Sequence, residues 1–342
     1  MMKLAAVCCL LVLTALTTAS TTASTSQGTV APGSSYDGSL LIGAFNIQVF
    51  GISKVGKVHV LQTLVKILKR YDLVLIQEIR DSSGTAIRTL LDTLNSEVQD
   101  KYEMALSSRL GRTSSKEQYA YFYKPSRLTL LWNYVYDDDS EDKFEREPFV
   151  AYFESPTTAM ERFAMIGVHI KPSEAVAELD HLVHVYDDYV NKSAGNTNAI
   201  IAGDFNADCR YVSKTALKNS LLRSDMRFRW IIPDDADTTV AASDCSYDRI
   251  VLAGDDLFDS YQQNRTGAFY FDREYHLDIN MAAEVSDHYP VEMFIKGNLD
   301  LEYSPDAIQP MLTAYSDSIS RSGSFRAVVW MCLLVMGPLM FP

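Results

Sequence analysis

The chain has 342 residues, of which 47% are apolar and 22% are charged. This length allows one large domain or two ordinary ones, and the apolar fraction excludes a disordered protein. The formal net charge of -13 argues against broad electrostatic attraction to nucleic acid, because such attraction depends on cations that neutralise phosphates.

The N-terminal segment is typical of a targeting sequence. In residues 1–19 an apolar run follows Lys3 and is itself followed by small residues, which is the layout of a cleavable secretory signal. A buried N-terminal helix is the alternative. Residues 20–38 are rich in Ser and Thr, so we expect a flexible lead-in there.

From Leu40 onward, short β-type runs alternate with helical patterns. The predicted strands lie at 40–50, 72–80, 119–125, 128–136, 148–153, 162–170, 198–206, 247–254 and 291–296, and the predicted helices at about 58–68, 86–98 and 174–190. No linker interrupts this body, so we expect one α/β domain over 39–298. The mixture of βα units and consecutive strands predicts two sheets packed face to face with helices outside, and functional residues at strand ends along one edge.

The C-terminal segment combines a polar linker, 299–326, with an apolar tail, 327–342. The tail is shorter than the roughly 20 residues that a spanning helix needs. Small residues at Ser316 to Ser318 followed by a polar spacer fit a glycolipid-attachment signal, with a short membrane-spanning tail or a buried C-terminal element as alternatives. We therefore expect passage through the secretory pathway and a location outside the cell or on the outer face of the plasma membrane.

Cysteines and sequons agree with secretion. Only Cys209 and Cys245 fall within 39–298, and two cysteines in an oxidising compartment suggest one disulfide. Asn191 and Asn264 begin Asn-x-Ser/Thr sequons, which predicts glycosylation at both.

Acidic and amide side chains recur near the ends of the predicted strands. They are Asn46, Glu78, Asp204, Asn206, Asp248 and Asp287. Each one alone could be a helix cap or turn former. Together they indicate oxygen ligands for a hard cation such as Mg²⁺, because capping does not require several apolar strands to end in this way.

Two of the six histidines lie where proton transfer would need them. His169 ends a predicted strand and His288 follows Asp287. An imidazole near its ordinary pKa can take or give a proton, and it works best when a carboxylate orients it. Glu117 and Asp248 are the candidate partners. We expect the remaining histidines to be structural.

Eight segments together resemble the deoxyribonuclease I family of the endonuclease/exonuclease/phosphatase superfamily. The resemblance runs from about residue 40 to 296, in AFNIQVFG, YDLVLIQEIRDSSG, LGRTSSKEQYAYFYKP, EREPFVAYF, GDFNADC, IPDDADTTV, YDRIV and SDHYPVE. It implies a four-layer αββα sandwich of two mixed sheets flanked by helices. It also implies endonucleolytic cutting of DNA to 5′-phosphate ends with little sequence specificity, Mg²⁺ or Mn²⁺ in catalysis, and structural Ca²⁺.

The resemblance also implies roles for individual residues. Asn46, Glu78, Asp204, Asn206 and Asp287 would surround the metal and the scissile phosphate. His288 with Asp248, and His169 with Glu117, would form two acid/base pairs. Arg80, Arg112 and Arg146 would contact DNA phosphates, although the family's usual tyrosine in that groove is Ser115 here.

The same resemblance implies calcium-binding residues, a disulfide pairing and a subgroup within the family. Asp237 and Thr239, with Ser243, would bind one Ca²⁺, and Asp138, Asp142 and Glu147 would form either a second calcium site or a solvated acidic loop. Cys209 would pair with Cys245. The missing second disulfide and the apolar tail look most like the membrane-anchored subgroup, deoxyribonuclease I-like 1.

Two other functions stay open at this point. One is a phosphoesterase of the same fold that acts on lipid or inositol phosphates. The other is a non-catalytic binding module at the cell surface. The expected partners are DNA and, through the C-terminal end, a membrane, and we expect a monomer.

Overall fold

The computed structural model describes residues 38–138, 141–240 and 243–298. The predicted signal (1–19), residues 20–37 of the predicted lead-in, the polar linker (299–326) and the apolar tail (327–342) lie outside these ranges.

Twelve strands within the described ranges form two six-stranded sheets. In spatial order, the first sheet contains β11 (Gly267–Ala268), β12 (Val291–Ile295), β1 (Leu40–Phe50), β2 (Leu73–Ile79), β4 (Gln118–Tyr123) and β3 (Glu103–Leu106). The second sheet contains β5 (Thr129–Val135), β6 (Phe149–Glu154), β7 (Arg162–His169), β8 (Ala199–Asp204), β10 (Asp248–Ala253) and β9 (Phe228–Trp230). Both sheets are mixed, because β1 pairs in parallel with β2, and β7 pairs in parallel with β8.

Helices connect the strands. They are α1 (Ile52–Val55), α2 (Val58–Leu68), α3 (Thr85–Glu97), α4 (Ala175–Lys192), α5 (Lys214–Asn219), α6 (Leu221–Ser224), α7 (Asp255–Ser260), α8 (Phe271–Glu274) and α9 (Ile279–Val285), with 3₁₀ turns at Pro172–Glu174 and Gln263–Arg265. In the ranges that the structure describes, no helix is long and apolar enough to cross a membrane.

Three hydrophobic cores separate four layers. The first core lies between the first sheet and α2 and α3, and it includes Val74, Leu64 and Leu90. The second contains residues from both sheets, such as Leu75 and Ile250, and so lies between the sheets. The third joins the second sheet to α4. This arrangement confirms the predicted αββα sandwich.

Polar side chains of the first sheet bind the backbone of the second. Gln77 Nε2 donates to Val168 O at 2.6 Å, and Tyr121 Oη lies 2.6 Å from Phe149 O. Buried polar groups of this kind need such partners, so they fix how one sheet lies on the other. The sheets also approach closely, because a Cβ on Gly167 would lie 2.7 Å from the Leu75 side chain. The ends of strands from both sheets therefore meet at one edge.

Candidate active site

Strand register brings three predicted site residues together. Asp204 is the last residue of β8, and it pairs with His169, the last residue of the parallel strand β7. Asp248 is the first residue of the antiparallel strand β10, and it also pairs with Asp204. Asp204 is thus flanked by two other predicted site residues, His169 on β7 and Asp248 on β10.

The backbone at this edge adopts conformations that side chains rarely allow. Gly203, just before Asp204, has φ of +139°, and a Cβ there would lie 2.0 Å from Val168 O, so only glycine fits. Glu78 and Asn206 have φ of 59° and 47°, in the left-handed region. Such strain persists only where the surrounding structure imposes it, and here it includes two predicted metal ligands, although residues away from the site such as Ala194 and His276 share this conformation.

His169 and Glu117 form one buried pair. His169 Nδ1 lies 2.8 Å from Glu117 Oε2, and the His169 backbone N–H donates to Tyr119 Oη at 2.8 Å. Arg80 binds the other oxygen of Glu117 at 2.9 Å. Burial raises the pKa of Glu117, but His169, Arg146 and Arg80 outweigh it and lower this pKa to about 2. Glu117 is therefore a fixed anion that orients His169.

His288 and Asp248 form the second pair. His288 Nδ1 lies 2.7 Å from Asp248 Oδ2, and both residues are buried. Thr238 Oγ1 accepts the backbone N–H of Asp248 at 3.1 Å. Burial by itself lowers the pKa of His288, but the Asp248 and Asp204 carboxylates outweigh it and raise this pKa above the ordinary range.

The two imidazoles face the same carboxylate. Nε2 of His169 lies 3.6 Å from Asp204 Oδ2, and Nε2 of His288 lies 3.7 Å from the same oxygen. Because each Nδ1 is held by its own acid, each Nε2 is left for proton transfer near Asp204. Two oriented acid/base groups thus converge on one point, although His169 ends β7 of the second sheet and His288 lies in the loop before β12 of the first sheet.

The oxygen-rich surroundings of Asp204 fit a hard divalent cation. Asn46 Nδ2 lies 3.2 Å from Asp204 Oδ2 and 3.3 Å from Glu78 Oε1, and the Asn206 backbone N–H donates to Asp204 Oδ1 at 2.9 Å. Asp287 Oδ1 is buried and has no hydrogen-bond partner among the described residues. Carboxylates and amides of this type are the ligands that Mg²⁺ and Mn²⁺ prefer.

A second reading of this cluster is less consistent with the contacts. Asp204, Asp248 and His288 offer ligand atoms within 4.8 Å of one another. However, Nδ1 of His288 is already bonded to Asp248, and this contact matches a proton-transfer pair better than two metal ligands. Asp204 then belongs to the predicted metal site, and it is also the carboxylate that both histidines approach.

The three predicted DNA-contacting arginines are all engaged with protein groups. Arg80 pairs with Glu78 at 3.1 Å and with Glu117, and Arg146 Nε donates to His169 O at 3.0 Å. Arg112 instead pairs with Asp142 at 2.9 Å and Glu174 at 3.0 Å. Arg80 and Arg146 therefore lie at the His169 pair, whereas Arg112 is tied to the acidic loop.

Oxygen atoms gather in the predicted calcium loop and in the acidic loop for which a second calcium site was one alternative. Thr239 Oγ1 lies 2.9 Å from Asp237 Oδ1 and also contacts Ser243 O, and Thr239 forms a β-bridge with His288. Asp138, Asp142 and Glu147 line one cavity of about 590 Å³. Burial and the two aspartates raise the pKa of Glu147. The first loop is thus coupled directly to the active site.

The predicted disulfide is present. Cys209 and Cys245 are bonded, with Cα atoms 5.9 Å apart, and join the loop after β8 to the segment before β10. The two predicted glycosylation residues, Asn191 and Asn264, are both exposed.

Sequence reasoning missed the residues that line a cavity next to His288. Arg210, Tyr211 and Tyr247 line it together with Asp287 and His288. The available signal was their position, because Arg210 and Tyr211 directly follow GDFNADC and Tyr247 directly precedes Asp248.

Comparisons with known proteins agree with this geometry. Residues 43–288 match the model of the Endonuclease/Exonuclease/phosphatase family. Deoxyribonuclease-1 of Oryctolagus cuniculus is 45% identical over 260 residues, which cover 75% of this chain and 92% of the relative. Deoxyribonuclease-1 of Homo sapiens is 42% identical over 262 residues, which cover 75% and 93%. The chain belongs to the deoxyribonuclease I family.

Solved structures support the fold of this family member. A humanised D. rerio TDP2 superposes with a TM-score of 0.54 at 12% identity, covering 76% of this chain and 99% of that one. An endonuclease/exonuclease/phosphatase family protein from Bacteroides thetaiotaomicron gives 0.50 at 16% identity, covering 76% and 98%. Since the family is hydrolytic, the protein is an enzyme of the nuclease and phosphodiesterase type.

Proposed function

We propose that this protein is a divalent-metal-dependent endonuclease that hydrolyses DNA phosphodiester bonds to 5′-phosphate products with little sequence specificity. The observation that carries the proposal is the convergence of two histidines on Asp204, each oriented through Nδ1 by its own buried carboxylate. The names of the mammalian relatives support DNA as the substrate.

The two pairs would divide the proton transfers of one in-line displacement. One imidazole takes a proton from the attacking water at Nε2, and the water oxygen forms a bond to phosphorus. The P–O3′ bond breaks, and the other imidazole gives its proton to the departing 3′ oxygen. Glu117 and Asp248 keep each ring in the tautomer and orientation that this exchange needs.

Asn46, Glu78, Asp204, Asn206 and Asp287 would hold Mg²⁺ or Mn²⁺. When bound, the cation supplies positive charge to the phosphate as negative charge develops on it. Arg80 and Arg146 keep the Glu117 pair in place and present cations to the phosphate backbone, as does Arg112 further along the surface. Asp237, Thr239 and Ser243 would hold a structural Ca²⁺ that fixes the loop paired with His288.

The test is plasmid nicking by the purified protein with and without a chelator, beside sphingomyelin and inositol-phosphate assays. We expect nicking that the chelator abolishes and Mg²⁺ restores, with ends that ligase can rejoin because they carry 5′-phosphates. Turnover of lipid or inositol phosphates alone would contradict the proposal. Absence of all three activities would favour a non-catalytic binding module.

We also propose that the protein is a monomer delivered through the secretory pathway, cleaved after residue 19, glycosylated, and held on the outer membrane surface by a glycolipid. The apolar tail at 327–342 and the small residues near Ser316 support this. It would then resemble the membrane-anchored subgroup, deoxyribonuclease I-like 1. Treating cells with a phosphatidylinositol-cleaving phospholipase should release it, whereas retention would favour a spanning tail.

A further inference from the structure

A cavity of about 640 Å³ opens on the helical side of the second sheet, and Arg249 of β10 lines it. Along β10, Ile250 belongs to the core between the sheets, whereas Val251 belongs to the core beneath α4. Because side chains alternate along a strand, Arg249 lies on the α4 side and the catalytic Asp248 on the other side. The cavity is therefore on the opposite face of the sheet from the Asp248 side chain.

Basic side chains dominate the lining of this cavity, which we call the cationic cavity. Its charged lining residues are Lys214, Lys218, Arg223, Arg249, Asp208 and Asp234. In a chain with a formal net charge of -13, this excess of cations reverses the overall charge locally. A concave surface lined by one sign of charge attracts ions of the other sign, so the cavity favours an anion.

The two arginines share one carboxylate and keep unused donors. Asp234 Oδ1 accepts from Arg249 Nη1 at 2.9 Å, and Asp234 Oδ2 accepts from Arg223 Nη2 at 2.8 Å. Arg249 Nη2 and Arg223 Nη1 are buried and have no hydrogen-bond partner among the described residues. Arg249 itself is only 1% exposed. Buried donors of charged groups normally have acceptors, so two unused donors at one cavity indicate an acceptor that a ligand supplies.

The two acids do not offset the buried arginine. Asp208 Oδ2 accepts the backbone N–H of Ser246 at 2.8 Å, so the backbone already holds this carboxylate. Burial lowers the pKa of Arg249 and outweighs the opposite effect of Asp234 and Asp208. A bound anion would therefore stabilise a charge that the protein leaves only partly compensated.

Two lysines form the exposed part of the cationic cavity. Lys214 and Lys218 lie one helical turn apart on α5, are exposed, and form no ion pair with a described carboxylate. Val212 and Leu217 add an apolar part to the lining. The volume lies in the range of small-molecule sites. The cavity thus has room for an oxyanion, either free or attached to a small organic body.

We infer that the cationic cavity is a binding site for a small anion of the phosphate class. Arg249 and Arg223 donate to its oxygens from the buried side, and Lys214 and Lys218 pair with it from the exposed side. Guanidinium groups suit phosphate because their N–H donors match its oxygens in pairs. The anion is either inorganic phosphate or the phosphate group of a small sugar ester. This inference does not depend on the proposed nuclease activity.

The test is isothermal titration calorimetry of the purified protein with inorganic phosphate, for which we expect a Kd of about 1 mM or lower. Removing Arg249 risks unfolding, because its guanidinium also holds the Ser246 and Pro233 carbonyl groups. The double variant Lys214→Gln/Lys218→Gln changes only exposed positions and should raise this Kd roughly tenfold. Titration with ribose 5-phosphate separates the two sources, since tighter binding than phosphate assigns the site to an ester and equal or weaker binding to the free ion.

Lys66→Gln/Lys69→Gln is the matched control. Lys66 and Lys69 are also exposed, but they lie at the C-terminal end of α2, outside the cationic cavity. The control loses the same net charge, so its Kd for phosphate should equal that of the wild type. Phosphate held by a metal at the active site would give one Kd in all three proteins. That result, or no binding by the wild type, would overturn the inference.

Trp230 supplies a second, local measurement. The guanidinium carbons of Arg223 and Arg249 lie 4.8 and 5.7 Å from the Trp230 ring centre. Phosphate should therefore change the tryptophan emission of the wild type, whereas Trp230→Phe should still bind phosphate in the calorimeter without that change. An emission change that persists in Trp230→Phe would place the anion elsewhere and overturn the inference.

Discussion

Glu117→Gln separates the two roles that the structure gives to this carboxylate. Glu117 is 4% exposed and contacts His169, Arg80 and Arg146 at once. Glutamine has nearly the same shape but no charge. The substitution therefore removes the anion while leaving the space filled, and it should affect both stability and catalysis.

The expected loss of stability follows from the pKa. The environment lowers the pKa of Glu117 from 4.5 to about 2. At about 1.36 kcal/mol for each pH unit, this corresponds to about 3 kcal/mol of folding free energy. Because the folded pKa is depressed, this stabilisation is fully present above about pH 4.5 and is lost as the pH falls through 2. It should be only about 1.4 kcal/mol at pH 3.

The catalytic loss has a different cause. The amide can offer an N–H to Nδ1 of His169, which would move the ring proton to Nε2 and block proton uptake there. We expect kcat to fall by roughly 10²-fold to 10⁴-fold with KM little changed, as for other oriented histidines.

Urea unfolding at pH 7 and pH 3, together with steady-state DNA cleavage, measures both effects. Glu154→Gln is the control, because Glu154 pairs with Arg162 at the surface, at the end of β6 and β7 away from His169. It should change stability by less than about 0.5 kcal/mol and leave kcat unchanged. A pH-independent destabilisation by Glu117→Gln, or a kcat within threefold of wild type, would refute the reasoning.

Three further predictions test other parts of the molecule. His288→Ala should lower kcat by roughly 10²-fold to 10⁴-fold in single-turnover assays while circular dichroism stays native, and an unchanged rate would contradict the Asp248 pair. Cys245→Ala opens the link to Cys209 across 36 residues and should lower unfolding free energy by roughly 4 kcal/mol in urea titrations, and an unchanged unfolding midpoint would contradict this. Burial raises the pKa of Glu178 to about 7, so this carboxyl should lower wild-type stability by about 2.5 kcal/mol as the pH rises from 4.5 to 7. The stability of Glu178→Gln should therefore fall by about 2.5 kcal/mol less than that of wild type over this range in urea titrations, and equal falls in the two proteins would refute the assignment.

The architecture could be predicted because its long strands and helices carry strong periodic signals. The runs at 40–50 and 162–170 became β1 and β7, and the apolar spacing at 58–68 became α2 with almost the same bounds. The short strands β3, β9 and β11 were not predicted. They have two to four residues, too few for alternation to show, and they form because a neighbouring strand offers free backbone groups at a sheet edge.

The site could be predicted in composition but not in all its contacts. The acids and histidines at the ends of predicted strands indicated which residues form the site, because these strand ends converge at one edge of the sheets. The resemblance indicated which histidine pairs with which acid. The sequence did not indicate that Asp204 is within 4 Å of both imidazoles, because that depends on the register of β7, β8 and β10. It also missed Arg210, since an arginine after a motif has no periodic signal to separate it from other surface cations.

The negative net charge and the proposed DNA substrate are compatible because of where the acids lie. Around Asp204, the carboxylates of Glu78 and Asp287 repel a phosphate unless a cation neutralises them, so the same residues that make the chain acidic would make DNA binding at this edge depend on metal. Arg80 and Arg146 cannot substitute for that cation, because Glu117 already offsets part of their charge. Arg210 has no ion-pair partner among the described carboxylates, so its contribution to DNA binding should remain when the metal is removed. Metal removal should accordingly weaken DNA binding strongly but leave a residual, salt-dependent affinity, and Arg210→Ala should reduce that remainder.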